Sequence, residues 1–64
     1  MDIQATDKIE IQQMTSTGSW VTIRTVPYVN LQYVTRQMQF VKRSHPKSAI
    51  RAQTTSGVFV NILP

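Results

Sequence analysis

Residues 31–43 read LQYVTRQMQFVKR, and this stretch decides the fold class. Its apolar side chains recur at spacings of three and four: Leu31, Val34, Met38 and Val41. On an α-helix these positions fall within one sector of about 80°, which predicts a stripe that packs on a core. Asn30 precedes the stretch as a candidate N-cap, and Pro46 ends it by restricting the residue before it. The sequence therefore predicts one helix over residues 31–43.

Short β-type segments flank the predicted helix on both sides. They alternate polar and apolar side chains or are rich in β-branched residues, as strands are. The predicted strands cover residues 8–14, 20–26, 48–54 and 58–63. A polar loop at Gly18 joins the first two, and a turn at Gly57 joins the last two. Pro27 ends the second strand because it has no N–H for the ladder.

This order of elements predicts an α+β domain with ββαββ topology. The strands form one four-stranded, mostly antiparallel sheet, and the single helix packs on one face of it, since two layers bury both apolar surfaces. We expect this single domain to cover residues 8–64. Residues 1–7 lack periodicity and are expected to form a flexible N-terminal arm. The strand order does not follow from the sequence.

Alternation along the strands divides the side chains between the two faces of the sheet. We expect the helix to cover the aliphatic set Ile9, Ile11, Val21, Ile23, Ile50, Ala52, Val60 and Ile62. The opposite face has no second helix to cover it, and its candidate binding residues are Trp20, Arg24, Arg51, Phe59 and Asn61. This face fits a protein interface or a platform for single-stranded nucleic acid. Alternatively, its aromatic rings only wrap the edge of the core.

The charges are segregated along the chain. All three acidic residues lie within residues 1–10, whereas residues 11–64 hold six cations and no acid. Such a surface suits an anionic partner, nucleic acid first and an acidic protein second, or it simply keeps a small domain in solution. Further candidate contacts lie on the helix and at its exit: Arg36, Lys42, Arg43 and Lys47.

A second surface of the helix holds Tyr33 and Phe40. With Arg36 and Arg43 beside them, these rings can form an exposed contact strip. They can equally widen the buried face, with the arginine stems covering their edges. His45 falls near the apolar stripe, which favours a structural role for it.

The residue inventory argues against an enzyme. The chain has no cysteine and one histidine, so thiolate chemistry and two-histidine metal motifs lack ligands. No serine belongs to a recognisable triad, and the two glycines form no phosphate-binding loop. We expect no catalytic residue, no cofactor, no metal and no small-molecule substrate. No apolar stretch reaches the length of a membrane span, so we expect a cytoplasmic protein without a membrane partner.

Several segments resemble small, uncharacterised accessory proteins of tailed bacteriophages. They are GSWVTI at residues 18–23, NLQYV at 30–34, AIRA at 49–52 and GVFVNIL at 57–63. The resemblance spans about residues 8–63 and brings no catalytic or ligand residue with it. It implies an accessory factor that binds and modifies or inhibits host machinery.

Two function hypotheses follow from the sequence. The first is a non-enzymatic, phage-like binding protein that docks on a host macromolecular complex and modulates it. The second is a small basic nucleic-acid-binding protein that uses the open sheet face and the helix exit. We also expect a homodimer, or a tight complex with another protein. A small core gains stability when a partner covers the uncovered sheet face.

Overall fold

The computed structural model describes residues 8–64, and the predicted N-terminal arm, residues 1–7, lies outside the described residues. The elements in chain order are β1 (Lys8–Met14), β2 (Trp20–Pro27), α1 (Leu31–Ser44), β3 (Ile50–Thr54) and β4 (Phe59–Leu63). All neighbouring strands are antiparallel, in the order β2-β1-β3-β4. The ββαββ fold is therefore confirmed, and the predicted elements differ from the observed ones only at their ends.

The first strand of each hairpin lies at the centre of the sheet. β1 pairs with β2 on one side and with β3 on the other, although α1 separates β1 from β3 in the chain. The Met14 N–H extends this pairing by donating to the Ala49 carbonyl at 3.0 Å. Consequently β2 and β4 form the two edges, and the most protected strands are β1 and β3.

The hydrophobic core lies between α1 and the inner strands. Val34, Met38 and Val41 of the predicted helix stripe are buried. They form one cluster with Ile9, Ile11, Val26, Ile50 and Ala52. Leu31 was predicted to belong to the stripe but is 56% exposed, and Tyr33 packs against the core instead. Tyr33 thus widens the buried face, whereas Phe40 remains exposed.

Both ends of α1 are closed by local hydrogen bonds. The Asn30 side-chain oxygen accepts from the Tyr33 N–H at 2.8 Å, which confirms the predicted N-cap. At the other end, the His45 N–H donates to the Val41 and Lys42 carbonyls, each at 3.1 Å. His45 therefore ends the helix directly before the predicted terminator Pro46.

A bulge in β2 moves part of that strand to the other face of the sheet. Arg24 pairs with Ile11, and Thr22 pairs with the adjacent Gln12, so Ile23 has no partner of its own in the ladder. Directly paired residues point to the same face. Arg24 therefore lies on the helix side, opposite the buried Ile11, and its prediction on the open face is wrong.

A second bulge has the same effect in β4. Val60 packs against the core as predicted, but beyond this residue the alternation shifts by one. Asn61 pairs with the buried Ala52, and Ile62 pairs with Arg51. Asn61 thus lies on the helix side and Ile62 on the opposite face, so that both of these predictions are wrong.

The helix does not cover the edge strand β2 as the sequence predicted. It lies mainly over β3, β1 and β4. Val21 and Ile23 are consequently 45% and 42% exposed, and their predicted place in the core is wrong. No helix within residues 8–64 combines the length and the apolar character needed to cross a membrane.

The position of Met38 leads to a test of the core. Met38 has no exposed surface, so Met38→Ala should lower the free energy of unfolding by about 2–5 kcal/mol. Gln39→Ala, at the next and exposed position, should change it by no more than about 0.5 kcal/mol. Urea denaturation followed by circular dichroism compares the two variants. Equal midpoints would contradict the burial of this helix face.

Candidate binding surface

The face of the sheet opposite α1 is not covered by another helix or strand of residues 8–64. We call it the open face. The strand register places one row of side chains across its middle: Thr22, Gln12, Arg51 and Ile62. Trp20 flanks this row on β2, and Phe59 flanks it on β4. The open face therefore draws its residues from all four strands.

Hydrogen bonds tie the central row together. Arg51 Nε donates to Gln12 Oε1 at 2.7 Å, and Gln12 Nε2 donates to Thr22 Oγ1 at 3.1 Å. The Gln12 side chain is thus held at both of its polar atoms, and the residue is only 7% exposed. Because its donor is charged, the bond from Arg51 is the stronger of the two. The row fixes the position of the guanidinium.

The guanidinium of Arg51 stacks on the indole of Trp20. The carbon at its centre lies 4.3 Å from the ring centroid, within the range of a cation–π interaction. Trp20 is accordingly half-buried rather than openly displayed. Among the hydrogen bonds of residues 8–64, Arg51 uses only Nε, so its terminal nitrogens keep donors for a partner.

Exposed apolar side chains lie on β4, the strand next to that of Arg51. Phe59 is 61% exposed and Ile62 is 43% exposed. Ile62 sits directly opposite Arg51 in the ladder, and Phe59 pairs with Gln53, which places both on the open face. An arginine and a tryptophan held in position beside exposed apolar groups have the composition of an interface centre.

The other predicted contact residues lie elsewhere in the fold. Arg24 braces β2 against α1: its Nη1 donates to Gln37 Oε1 at 2.8 Å, and its guanidinium lies 5.0 Å from the centroid of Phe40. Lys42 Nζ donates to the main-chain oxygens of Ser48 and Pro64, so it holds the helix exit to the sheet. The remaining cations are exposed, on the helix and just after it: Arg36, Arg43 and Lys47.

Sequence reasoning did not single out two members of the open face. The period-two pattern places Gln12 on this face, but nothing in the sequence distinguishes it from the other polar residues of the strands. Ile62 reaches this face only because of the bulge in β4, for which the sequence carries no signal.

Neither a cavity nor a metal-binding group accompanies the open face. Residues 8–64 enclose no pocket and bring together no three His, Cys, Asp or Glu side chains. Comparisons with protein-family models, curated proteins and solved structures give no match. The geometry of the open face is therefore what indicates its function.

The stack of Arg51 on Trp20 can be tested by fluorescence, because Trp20 is the sole tryptophan of the chain. Arg51→Ala should shift the Trp20 emission to longer wavelength, since water then reaches the ring. It should also lower the free energy of unfolding by about 1–3 kcal/mol, because it removes a charged hydrogen-bond donor from Gln12. Arg36→Ala, on the helix, is the control and should leave the emission unchanged. An unshifted spectrum in Arg51→Ala would show that the stack does not form.

Proposed function

We propose that this chain is a non-enzymatic binding protein that docks on another protein through its open face. The observation that carries the proposal is the anchored stack of Arg51 on Trp20, on the same face as the exposed Phe59 and Ile62. Tryptophan and arginine contribute most to binding where they are surrounded by groups that exclude water. Because the hydrogen bond to Gln12 and the stack on Trp20 already hold Arg51, less side-chain freedom is lost when a partner binds.

The chemistry of the open face indicates what the partner must offer. Phe59 and Ile62 require an apolar surface. The terminal nitrogens of Arg51 require a planar acceptor, for which a carboxylate gives paired hydrogen bonds. The fitting partner is therefore a protein with an apolar patch bordered by an Asp or Glu side chain.

Fewer observations favour nucleic acid on this face. Arg24, one of the cations on which that hypothesis depended, lies on the helix side. The strand cations that remain are Lys8 and Arg51, and Glu10 lies between their positions on the same face. A phosphate backbone is bound through several cations at once. A mixed face with two strand cations, one acid and exposed apolar groups on β4 suits a protein better.

The resemblance to phage accessory proteins implies which kind of protein the partner is. The partner is then a component of a host macromolecular complex, and coverage of its surface by the open face modulates or inhibits that complex. The protein acts in the cytoplasm, which is the host cytoplasm if a phage encodes it. A second copy of this chain is the other protein partner that we propose, through the same face.

The double variant Phe59→Ser, Ile62→Ser tests the proposal. Both side chains are exposed, so the substitutions should barely change stability while they weaken binding about tenfold or more. Phe40→Ser is the control, since Phe40 is a comparably exposed aromatic residue on the helix. Association is measured by capture from bacterial lysate with and without nuclease treatment and by sedimentation velocity of the purified chain.

The proposal predicts that the wild type and Phe40→Ser retain a protein or self-associate, and that the double variant does not. A monomer that retains no protein would contradict it. So would a double variant that binds as well as the wild type, or captured proteins that disappear after nuclease treatment.

A further inference from the structure

The exposed Phe40 lies at the edge of the side of α1 that faces away from the sheet, and glutamine and arginine residues occupy the middle of that side. The residues are Gln32, Arg36, Gln39 and Arg43, and all of them are exposed. At 3.6 residues per turn they fall within a sector of about 60°, on the opposite side of the helix from the buried stripe. We call this set the Gln/Arg row.

Within residues 8–64 no acidic side chain lies on α1 beside the row, and the one acid there, Glu10, lies on the open face. Helix α1 contains no Asp or Glu, and residues 11–64 contain none either. No member of the row takes part in a side-chain hydrogen bond within residues 8–64. Glu four residues from Lys or Arg stabilises an exposed helix face, and α1 has no such pair. A row of uncompensated arginines and glutamines instead complements an anionic surface that also offers hydrogen-bonding groups.

We propose that α1 binds in the major groove of duplex DNA through the Gln/Arg row. The major groove is about 12 Å wide and admits an α-helix. Arginine makes paired hydrogen bonds to guanine, and glutamine makes them to adenine. From Gln32 to Arg43 the row is about 16 Å long at a rise of 1.5 Å per residue. That length corresponds to about five base pairs at a rise of about 3.4 Å each.

Cations beside the helix suit contacts with the phosphates that border the groove. Arg24 is held at the flank of α1 by Gln37 and Phe40, and the exposed Lys47 follows the helix exit. Contacts with phosphates position a protein on the duplex, and contacts with base edges select the sequence. Arg24 of β2 and Lys47 after the helix are placed for the first kind of contact, and the Gln/Arg row of α1 is placed for the second.

The sheet holds the row in a defined position. Val34, Met38 and Val41 fix one side of α1 on the core, and Asn30 caps its first turn. A helix supported in this way presents its outer side chains from a rigid backbone. The Gln/Arg row and the open face lie on opposite layers of the molecule, so this inference and the proposed protein docking can succeed or fail separately.

The experiment selects duplexes from a pool of fluorescein-labelled DNA with a randomised centre and measures their binding by anisotropy. Affinity should fall as salt rises, by about 0.9 log units per log unit of salt for each phosphate contacted. Duplex RNA of the same length is the comparison probe. It should bind far more weakly, because its major groove is too deep and narrow for side chains to read.

Substitutions in the row should separate the contribution of the arginines to affinity from that of the glutamines to base preference. Arg36→Ala or Arg43→Ala should weaken binding to the selected duplex about 5- to 100-fold. Gln39→Ala should change the base preference recovered in the selection. Alanine favours helix, so a loss of binding cannot be ascribed to unfolding when circular dichroism is unchanged. Lys8→Ala removes the same charge from the open face and should change the affinity less than about twofold.

Some results would overturn the proposal. One is the absence of binding to duplex DNA at low salt. Others are equal affinity for duplex RNA, a preference for single-stranded DNA, or a loss in Lys8→Ala as large as that in Arg36→Ala. The Phe59→Ser, Ile62→Ser variant should bind the duplex as well as the wild type does, because its substitutions lie on the other layer.

Discussion

The burial of one side of α1 on the inner strands is the interaction on which the rest of the structure depends. Val34, Met38 and Val41 pack against a cluster that includes Ile9 and Ile11. In a chain of 64 residues this contact is the main source of buried apolar area, and such small domains have little stability in reserve. It also decides which surfaces remain for solvent or for partners, because one helix can cover only one face of a sheet.

Two surfaces of different chemistry remain after this packing. The open face presents a hydrogen-bonded row with an anchored arginine and exposed apolar groups on β4, whereas the outer side of α1 presents a cationic, hydrogen-bonding row. Together, the two proposals describe a small adaptor that holds a protein on one layer and DNA on the other. The two surfaces lie on opposite sides of the molecule because the fold has two layers, one of helix and one of sheet.

Two bulges explain why three side chains lie on the face opposite to the predicted one. Strict alternation assigned Arg24 and Asn61 to the open face and Ile62 to the core. The bulges in β2 and β4 each shift the following residues by one position, which exchanges the faces. As a result Arg24 braces the helix, and Ile62 joins the surface that we propose for docking. A pattern of polar and apolar residues does not show where an extra residue enters a ladder.

The sequence by itself determined the type and order of the elements, the buried stripe of α1, the cap at Asn30 and the turn at Gly57, whose φ is 95°. These features depend on residues a few positions apart, so periodicity and side-chain type suffice to predict them. Only the tertiary structure decided the strand order, the bulges and the stack of Arg51 on Trp20. Those features join residues far apart in the chain, and the way the sheet and the helix pack as a whole determines which of them meet.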